Sequence, residues 1–304
     1  MKIITSLEEL HSEERCAVAV GKFDGVHAGH RLLLEKILAA KAKGLKAAVF
    51  TFEPSPEALF GMGDVRLLTT GEEKRRLLAE IGVDLLIEYP MNFQTAAVEP
   101  EEFIREFLIR RLHAGLIAAG EDLSFGNKGR GDFALLDALR TEGGYETIRV
   151  EKLRVDGENV SSSRIRELVS LGKMEAAEKM LGRPYELTGI VAHGRGLGHT
   201  IGFPTVNLYP PADKALPPYG VYRSELLLHG SGAEYRGITN IGVRPTVSDE
   251  DRVSAETYLY DFTDDLYDET VTVRLLSFQR PEQRFPNVDA LKEQLQKDIR
   301  EGRR

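Results

Sequence analysis

The sequence predicts an α/β domain built on a parallel sheet, followed by a small antiparallel β-barrel with a terminal helix. Two observations predict this. In the first half, short apolar runs alternate with amphipathic helical patterns, as expected of βαβ units. Near Leu181-Gly182-Arg183-Pro184 the pattern changes. Beyond it come consecutive strand runs separated by turn residues, which suggest a closed antiparallel sheet. Length agrees, since 304 residues correspond to about two domains.

In the first half, strands are predicted at 17–20, 46–51, 85–89, 115–119 and 146–150. Helical patterns occupy 30–42, 71–81, 100–112 and 133–141 between and around them. Two further helices are predicted at 163–170 and 173–180, just before the pattern changes. Strands then follow at 185–191, 219–228, 234–241, 255–260 and 269–278, with a helix at 288–300. We place the domains at 1–183 and 184–304. No internal repeat or low-complexity segment interrupts them.

Composition narrows the function classes. The chain is 42% hydrophobic and 29% charged, an ordinary globular balance. Its net charge of −8 argues against a nucleic-acid partner, which usually meets a basic face. The charge leaves nucleotides open, because their phosphates need only local positive charge. A single cysteine, Cys16, allows no intramolecular disulfide and favours the cytoplasm. It reads as a packed, inert thiol. No cationic, apolar leader opens the chain and no run is long enough to span a bilayer, so no membrane partner is expected.

The most informative stretch is Gly21-Lys22-Phe23-Asp24-Gly25-Val26-His27-Ala28-Gly29-His30. It joins the first predicted strand to the first predicted helix. A helix N-terminus has backbone N–H groups without intrahelical partners and a positive dipole end, so phosphate suits it. His27 and His30 can add donors aimed at the same anion. A second candidate is Ser161-Ser162-Ser163-Arg164-Ile165-Arg166. There Ser162 or Ser163 could cap a helix, and the arginines could grip phosphate oxygens in a fork. By itself this segment also reads as a helix start with solvated arginines. Phe125-Gly126-Asn127-Lys128-Gly129-Arg130-Gly131-Asp132 is a cationic loop that alone favours an ordinary surface turn.

In the second half, His193-Gly194-Arg195-Gly196-Leu197-Gly198-His199 leads into Thr200-Ile201-Gly202-Phe203-Pro204-Thr205-Val206-Asn207. Closely spaced glycines let backbone wrap a phosphate tail. The Gly-Lys-Ser/Thr of a P-loop is absent. Asn240-Ile241-Gly242-Val243-Arg244-Pro245-Thr246 and Glu256-Thr257-Tyr258-Leu259-Tyr260-Asp261-Phe262 complete the set.

Together these segments resemble the bacterial bifunctional riboflavin kinase/FAD synthetase family, nearly end to end and in order. The first half is similar to its nucleotidylyl-transferase module, a Rossmann-like fold, and the second to its riboflavin kinase barrel. The resemblance implies that His27 and His30 stabilise charge at the α-phosphate of ATP. It places Gly21, Phe23, Asp24 and Gly29 in the same ATP-binding motif, and Ser162, Ser163 and Arg164 on the β,γ-phosphates. Gly202–Asn207 resembles the PTAN motif of riboflavin kinases, with valine for alanine. By that likeness Thr205 and Asn207 bind Mg²⁺ and ATP phosphates, Gly194, Gly196 and Gly198 line the phosphate loop, and Glu256 is the catalytic base. The family usually has a histidine between two prolines where this chain has Ser55.

The function so implied is phosphorylation of riboflavin by ATP to FMN, then adenylylation of FMN to FAD with release of pyrophosphate. Riboflavin, FMN and ATP are the expected partners and Mg²⁺ the expected cofactor. Two alternatives stand at this point: a riboflavin kinase with a degenerate first domain, and a non-catalytic flavin-binding regulator. The sequence names no flavin-binding residues and no oligomeric state.

Overall fold

A computed structural model describes residues 1–61, 66–193, 202–244 and 252–304. The chain divides into two compact units, Met1–Ser162 and Ser163–Arg304.

The first unit is built on a six-stranded sheet, β1 (Lys2–Ile4), β2 (Cys16–Val20), β3 (Lys46–Glu53), β4 (Leu85–Pro90), β5 (Ala114–Gly120) and β6 (Glu146–Val150). All neighbours are parallel, in the order β1-β4-β3-β2-β5-β6. The five residues of β2 are all buried, as expected for a strand covered on both faces. One face carries large side chains, Val20, Phe50, Ile87 and Tyr89, against Phe103 and Phe107. The other carries Ala17, Ala19 and Ala47, whose small size lets Leu34, Ile37 and Leu78 pack close.

Helices α1 (Ala28–Ala39), α2 (Pro56–Leu59), α3 (Gly71–Ile81), α4 (Pro100–Glu102), α5 (Phe133–Ala138) and α6 (Arg140–Gly143) complete this unit. Helix α4 continues as a π-helical stretch, Phe103–Arg111. Helix α3 has its predicted limits because its ends are specified locally. Thr70 and Glu73 form a reciprocal capping box, and Gly82 closes it in the left-handed region at φ 97°, where glycine carries no Cβ penalty. The predicted helix over 133–141 is instead two pieces. Leu139, at φ −88° and ψ −1°, flattens out of helical geometry and interrupts the ladder.

The strand order decides where the site lies. Strand β2 has β3 on one side and β5 on the other, so the winding reverses there. In open α/β sheets that reversal opens a crevice outside the carboxyl ends of the strands. The chain leaves β2 at Val20 and enters that crevice at Gly21.

The short hairpin β7 (Arg154–Val155) and β8 (Glu158–Asn159) precedes α7 (Ser162–Ser170), which starts at the division between units. Helix α8 (Met174–Leu181) lies in the second unit. The second sheet comprises β9 (Tyr185–Ile190), β10 (Val206–Leu208), β11 (Gly220–Leu228), β12 (Glu234–Arg244), β13 (Arg252–Leu259) and β14 (Thr270–Pro281). It is antiparallel throughout, in the order β10-β13-β12-β11-β14-β9. Just past β9, Ala192 pairs with Asn207 of β10, its N–H donating to the Asn207 carbonyl at 2.9 Å. That bridge joins the two edge strands and closes the barrel. A C-terminal helix, Val288–Gly302, starts at an Asn287 cap. Among the described residues no helix is long and apolar enough to cross a membrane.

Candidate functional sites

The turn after β2 is held in an unusual backbone path. Phe23 (φ 53°), Gly25 (φ 81°) and Val26 (φ 39°) all have positive φ. Such strain in a phenylalanine and a valine persists only where the surroundings over-determine it. Both side chains are fully buried, and Asp24 ties the turn down. Its Oδ1 accepts from the N–H groups of Leu68 and Thr69 at 2.9 and 3.1 Å. Thr69 Oγ1 in turn accepts from the Gly25 N–H at 3.0 Å. The carbonyl of Asp24 accepts from Ser162 Oγ at 2.8 Å, across 138 residues of sequence.

This scaffold presents the two histidines. His27 is the N-cap of α1, and its Nδ1 accepts from the His30 N–H at 3.2 Å. Nδ1 therefore carries no proton, which leaves Nε2 as the donor of the neutral ring. The His27 and His30 rings stack at 3.6 Å and 10°. Gly29 leaves room for the stack, because a Cβ there would stand a tight 3.3 Å from the His27 ring. Two imidazoles, a helix N-terminus and a strand end thus converge at the crevice.

The neighbouring segments are more self-contained than the sequence suggests. Ser55 caps α2, accepting from the Ala58 N–H at 3.3 Å. In the 126–132 loop, Arg130 pairs with Glu99, Asn127 donates to Glu99 at 2.9 Å, and Asp132 caps α5. Ser162 is already helical and donates to Asp24 instead of capping α7. Arg164 pairs with Glu167 of its own helix at 2.7 Å.

In the second unit the site comes from register. Glu256 of β13 stands opposite Asn207 of β10 on one side and Asn240 of β12 on the other. Residues in direct register share a face of a sheet, so the three form a polar row. Glu256 Oε1 accepts from Ser254 Oγ at 3.3 Å. Asn207 is 4% exposed. Its Nδ2 donates to the Thr205 carbonyl at 3.2 Å, while Oδ1 has no partner among the described residues. A buried carbonyl-type oxygen without a donor is a place for a cation or a ligand N–H.

Thr205, Asn240 and Glu256 also line a cavity of about 220 Å³. Its other wall is the C-terminal helix, through Leu291, Leu295, Asp298 and Ile299. Val221, Ile238, Tyr258, Phe203 and Phe285 supply further apolar lining. The chamber is lined mostly by apolar surface, with Thr205, Asn240, Glu256, Arg280, Glu282, Gln283 and Asp298 as its polar groups, the usual build of a small-molecule site. Among the described residues no group of three or more His, Cys, Asp or Glu could hold a metal. Asp265 accepts from the Tyr267 N–H at 2.9 Å in a turn.

Comparison with known proteins gives each half of the chain its own family match. The FAD synthetase family profile matches residues 9–164 and the riboflavin kinase profile residues 181–304. The bifunctional riboflavin kinase/FMN adenylyltransferase of Escherichia coli K12 is 37% identical over 303 residues, covering 98% of this chain and 96% of that one. The protein of the same name in Listeria monocytogenes is 35% identical over 289 residues, covering 94% and 91%. The chain belongs to the bifunctional riboflavin kinase/FMN adenylyltransferase family. A solved structure named a macrolide-efflux protein, from Streptococcus pneumoniae, has the same fold. It aligns at a TM-score of 0.85 and 30% identity, over 98% of this chain and 97% of that one.

Among the family motif residues, Gly21, Phe23, Asp24, His27, Gly29, His30 and Ser162 lie in or bond to the turn after β2. Thr205 and Glu256 line the barrel cavity, and Asn207 stands beside Glu256 in register. Ser163 and Arg164 fall in the second unit. Gly194, Gly196 and Gly198 lie outside the described residues. The apolar cavity wall is what sequence reasoning missed. Leu291, Leu295 and Ile299 recur at helical spacing, which announces a buried stripe but not what it covers.

Proposed function

We propose that the chain makes flavin nucleotides in two ATP-dependent steps, one in each unit. The observation that carries this is that each unit has its own family match and its own polar site, one at a helix N-terminus and one at a cavity.

In the second unit, riboflavin would lie with its ring system in the apolar body of the cavity and its ribityl end toward Glu256. The Glu256 carboxylate takes the proton of the terminal hydroxyl as that oxygen attacks the γ-phosphorus of ATP. ADP leaves and FMN forms. The orphaned, buried Oδ1 of Asn207 and the Thr205 hydroxyl suit a hard, oxygen-seeking cation such as Mg²⁺. Bound there, the ion would neutralise phosphate charge during transfer. The glycines at 194, 196 and 198 are assigned to the phosphate tail on the family resemblance.

In the first unit, a phosphate oxygen of FMN attacks the α-phosphorus of ATP in line and pyrophosphate leaves. No covalent enzyme intermediate is needed, so positioning and charge stabilisation supply the catalysis. His27 and His30 meet the charge that grows on the α-phosphate, with the α1 N-terminus behind them. Ser162, anchored on Asp24, stands beside this turn and would contact the outgoing phosphates. Ser163 and Arg164 follow it in the chain, and the family resemblance assigns them the same task. The single cysteine is buried and burial pushes its thiol up, which suits a protein of the reducing cytoplasm.

A timed assay tests the proposal. Purified protein with riboflavin, ATP and Mg²⁺ converts riboflavin first to FMN and then to FAD, with pyrophosphate released in step with FAD. Absence of FMN sinks the kinase assignment. FMN that accumulates without FAD sinks the adenylyl assignment, and Ser55→His then shows whether the missing family histidine is the cause.

A further inference from the structure

The cavity wall is held by a feature that neither family match explains. Strand β14 pairs with β11 out of regular register. Val221 faces Arg280 and Tyr222 faces Phe278, so Gln279 is an extra residue in β14. In a regular strand, successive side chains point to opposite faces. Across this bulge, Gln279 and Arg280 both reach one residue of the C-terminal helix. Gln279 Nε2 donates to the Asp298 carbonyl at 3.0 Å. Arg280 donates in a fork to the Asp298 carboxylate, Nε to Oδ1 at 2.9 Å and Nη2 to Oδ2 at 2.6 Å. Gln294, one turn earlier in the helix, adds a bond to Oδ1 at 2.8 Å.

Asp298 is fully buried. A carboxylate in such a place is costly unless paired and fully hydrogen-bonded, and here both oxygens are met. Bulges re-aim side chains and are common beside active sites. The same helix presents Leu291, Leu295 and Ile299 to the cavity, all three only partly buried. A half-buried apolar stripe with a fixed charge beside it is a wall set at a distance, not a face packed shut.

We propose that the bulge-directed Arg280–Asp298 ion pair positions the C-terminal helix as a wall of the flavin cavity, and so sets affinity for the riboflavin ring system. Arg280 and Asp298 are positioning residues for the kinase step. The inference rests on the kinase reading above.

The experiment is riboflavin binding by flavin fluorescence, with kinase kinetics alongside, on the full chain. Asp298→Asn keeps the volume and removes the charge. It raises the riboflavin Kd and KM by about tenfold or more, because the wall loses its anchor. The KM for ATP and FAD formation from supplied FMN stay within about threefold, as expected for separate sites. Arg280→Lys, which keeps the charge and loses the fork, gives a smaller shift in the same direction. A purely structural role would lower the fraction of competent protein without changing Kd, and that result overturns the proposal. If Asp298→Asn does not fold, Arg280→Lys carries the test. It keeps the charge and breaks the fork to Asp298, and an unchanged riboflavin Kd there also overturns the proposal. Wild-type protein that binds no riboflavin refutes the kinase reading. Wild-type protein that binds it, with variants that bind as tightly, refutes only this inference.

Discussion

The two units solve the same problem, holding ATP beside a flavin, with opposite constructions. In the first, the proposed site is one continuous turn, from Gly21 to His30, placed at the reversal of strand order after β2. Its side chains are contiguous, a cap and a ring stack on a few strained backbone angles, while Leu68, Thr69 and Ser162 brace it from elsewhere in the chain. In the second, the proposed site is a row across three strands, Asn207, Glu256 and Asn240, beside a cavity walled in part by the C-terminal helix. No two of these are adjacent in sequence. A parallel sheet offers its loops at one edge, so chemistry collects in loops. An antiparallel barrel offers faces, so chemistry collects across register.

If the two sites are separate, a variant in one leaves the other's product unaffected. The largest effects test this. Glu256→Gln removes the proposed base and lowers FMN formation by roughly 10²–10⁴-fold. FAD formation from supplied FMN stays at the wild-type rate. His27→Ala does the reverse, lowering FAD formation by about 10²-fold or more and sparing FMN formation. Equal loss of both products in either variant would break the comparison.

A subtler variant asks whether the first site depends on local geometry. Gly29→Ala puts a Cβ 3.3 Å from the His27 ring, which must then shift by a few tenths of an ångström. FAD formation falls by roughly three- to tenfold. In the His27→Ala background the same change has almost no further effect, since the clash is gone. A full additional loss in the double variant would show that Gly29 acts by another route.

The smallest effects concern stability. Burial, with the charge of Glu102 added, pushes the Tyr89 hydroxyl up to about 12. An unfolded tyrosine ionises near 10. Between these values the unfolded chain gives up a proton that the folded one keeps, so this contribution is intact below about pH 10 and is lost as pH rises toward 12. Urea midpoints at about pH 8 and about pH 11 should therefore fall less in Tyr89→Phe than in wild type. Near neutral pH this variant costs little, because Tyr89 Oη has no partner among the described residues. Tyr222, in the second unit, donates to the Pro218 carbonyl and burial raises it as well. Tyr222→Phe shares the alkaline behaviour but lowers the midpoint by losing that bond. Identical behaviour of the two variants at about pH 8 would contradict the contrast.

The first unit was the easier to read for a physical reason. Its strands are mostly apolar runs separated by periodic helices, so β2 to β6 emerge within a residue or two of their limits. Three-residue strands such as β1 and β10 carry too few positions for a period to show. The Gly21–His30 motif was legible because its parts are contiguous. The bond from Ser162 to Asp24 was not, since it spans 138 residues. Ser55 and Arg164 show the other limit. Ser55 stands where the family has a histidine and Arg164 was expected at phosphate, while local partners, the Ala58 N–H and Glu167, engage them in the structure.

By itself the sequence determined the two fold classes, the order of most elements and the identity of the motif residues. Each depends on periodicity or on residues close together along the chain. Only the tertiary structure decided that Asn207, Glu256 and Asn240 share one row, because register is a relation between strands. The same holds for the cavity and its wall. Val221, Ile238, Tyr258 and Leu295 meet only once the barrel closes and the last helix folds back on it. A bulge of one residue then aims Arg280 at Asp298. A single strand cannot announce such a bulge, because it exists only against the strand beside it.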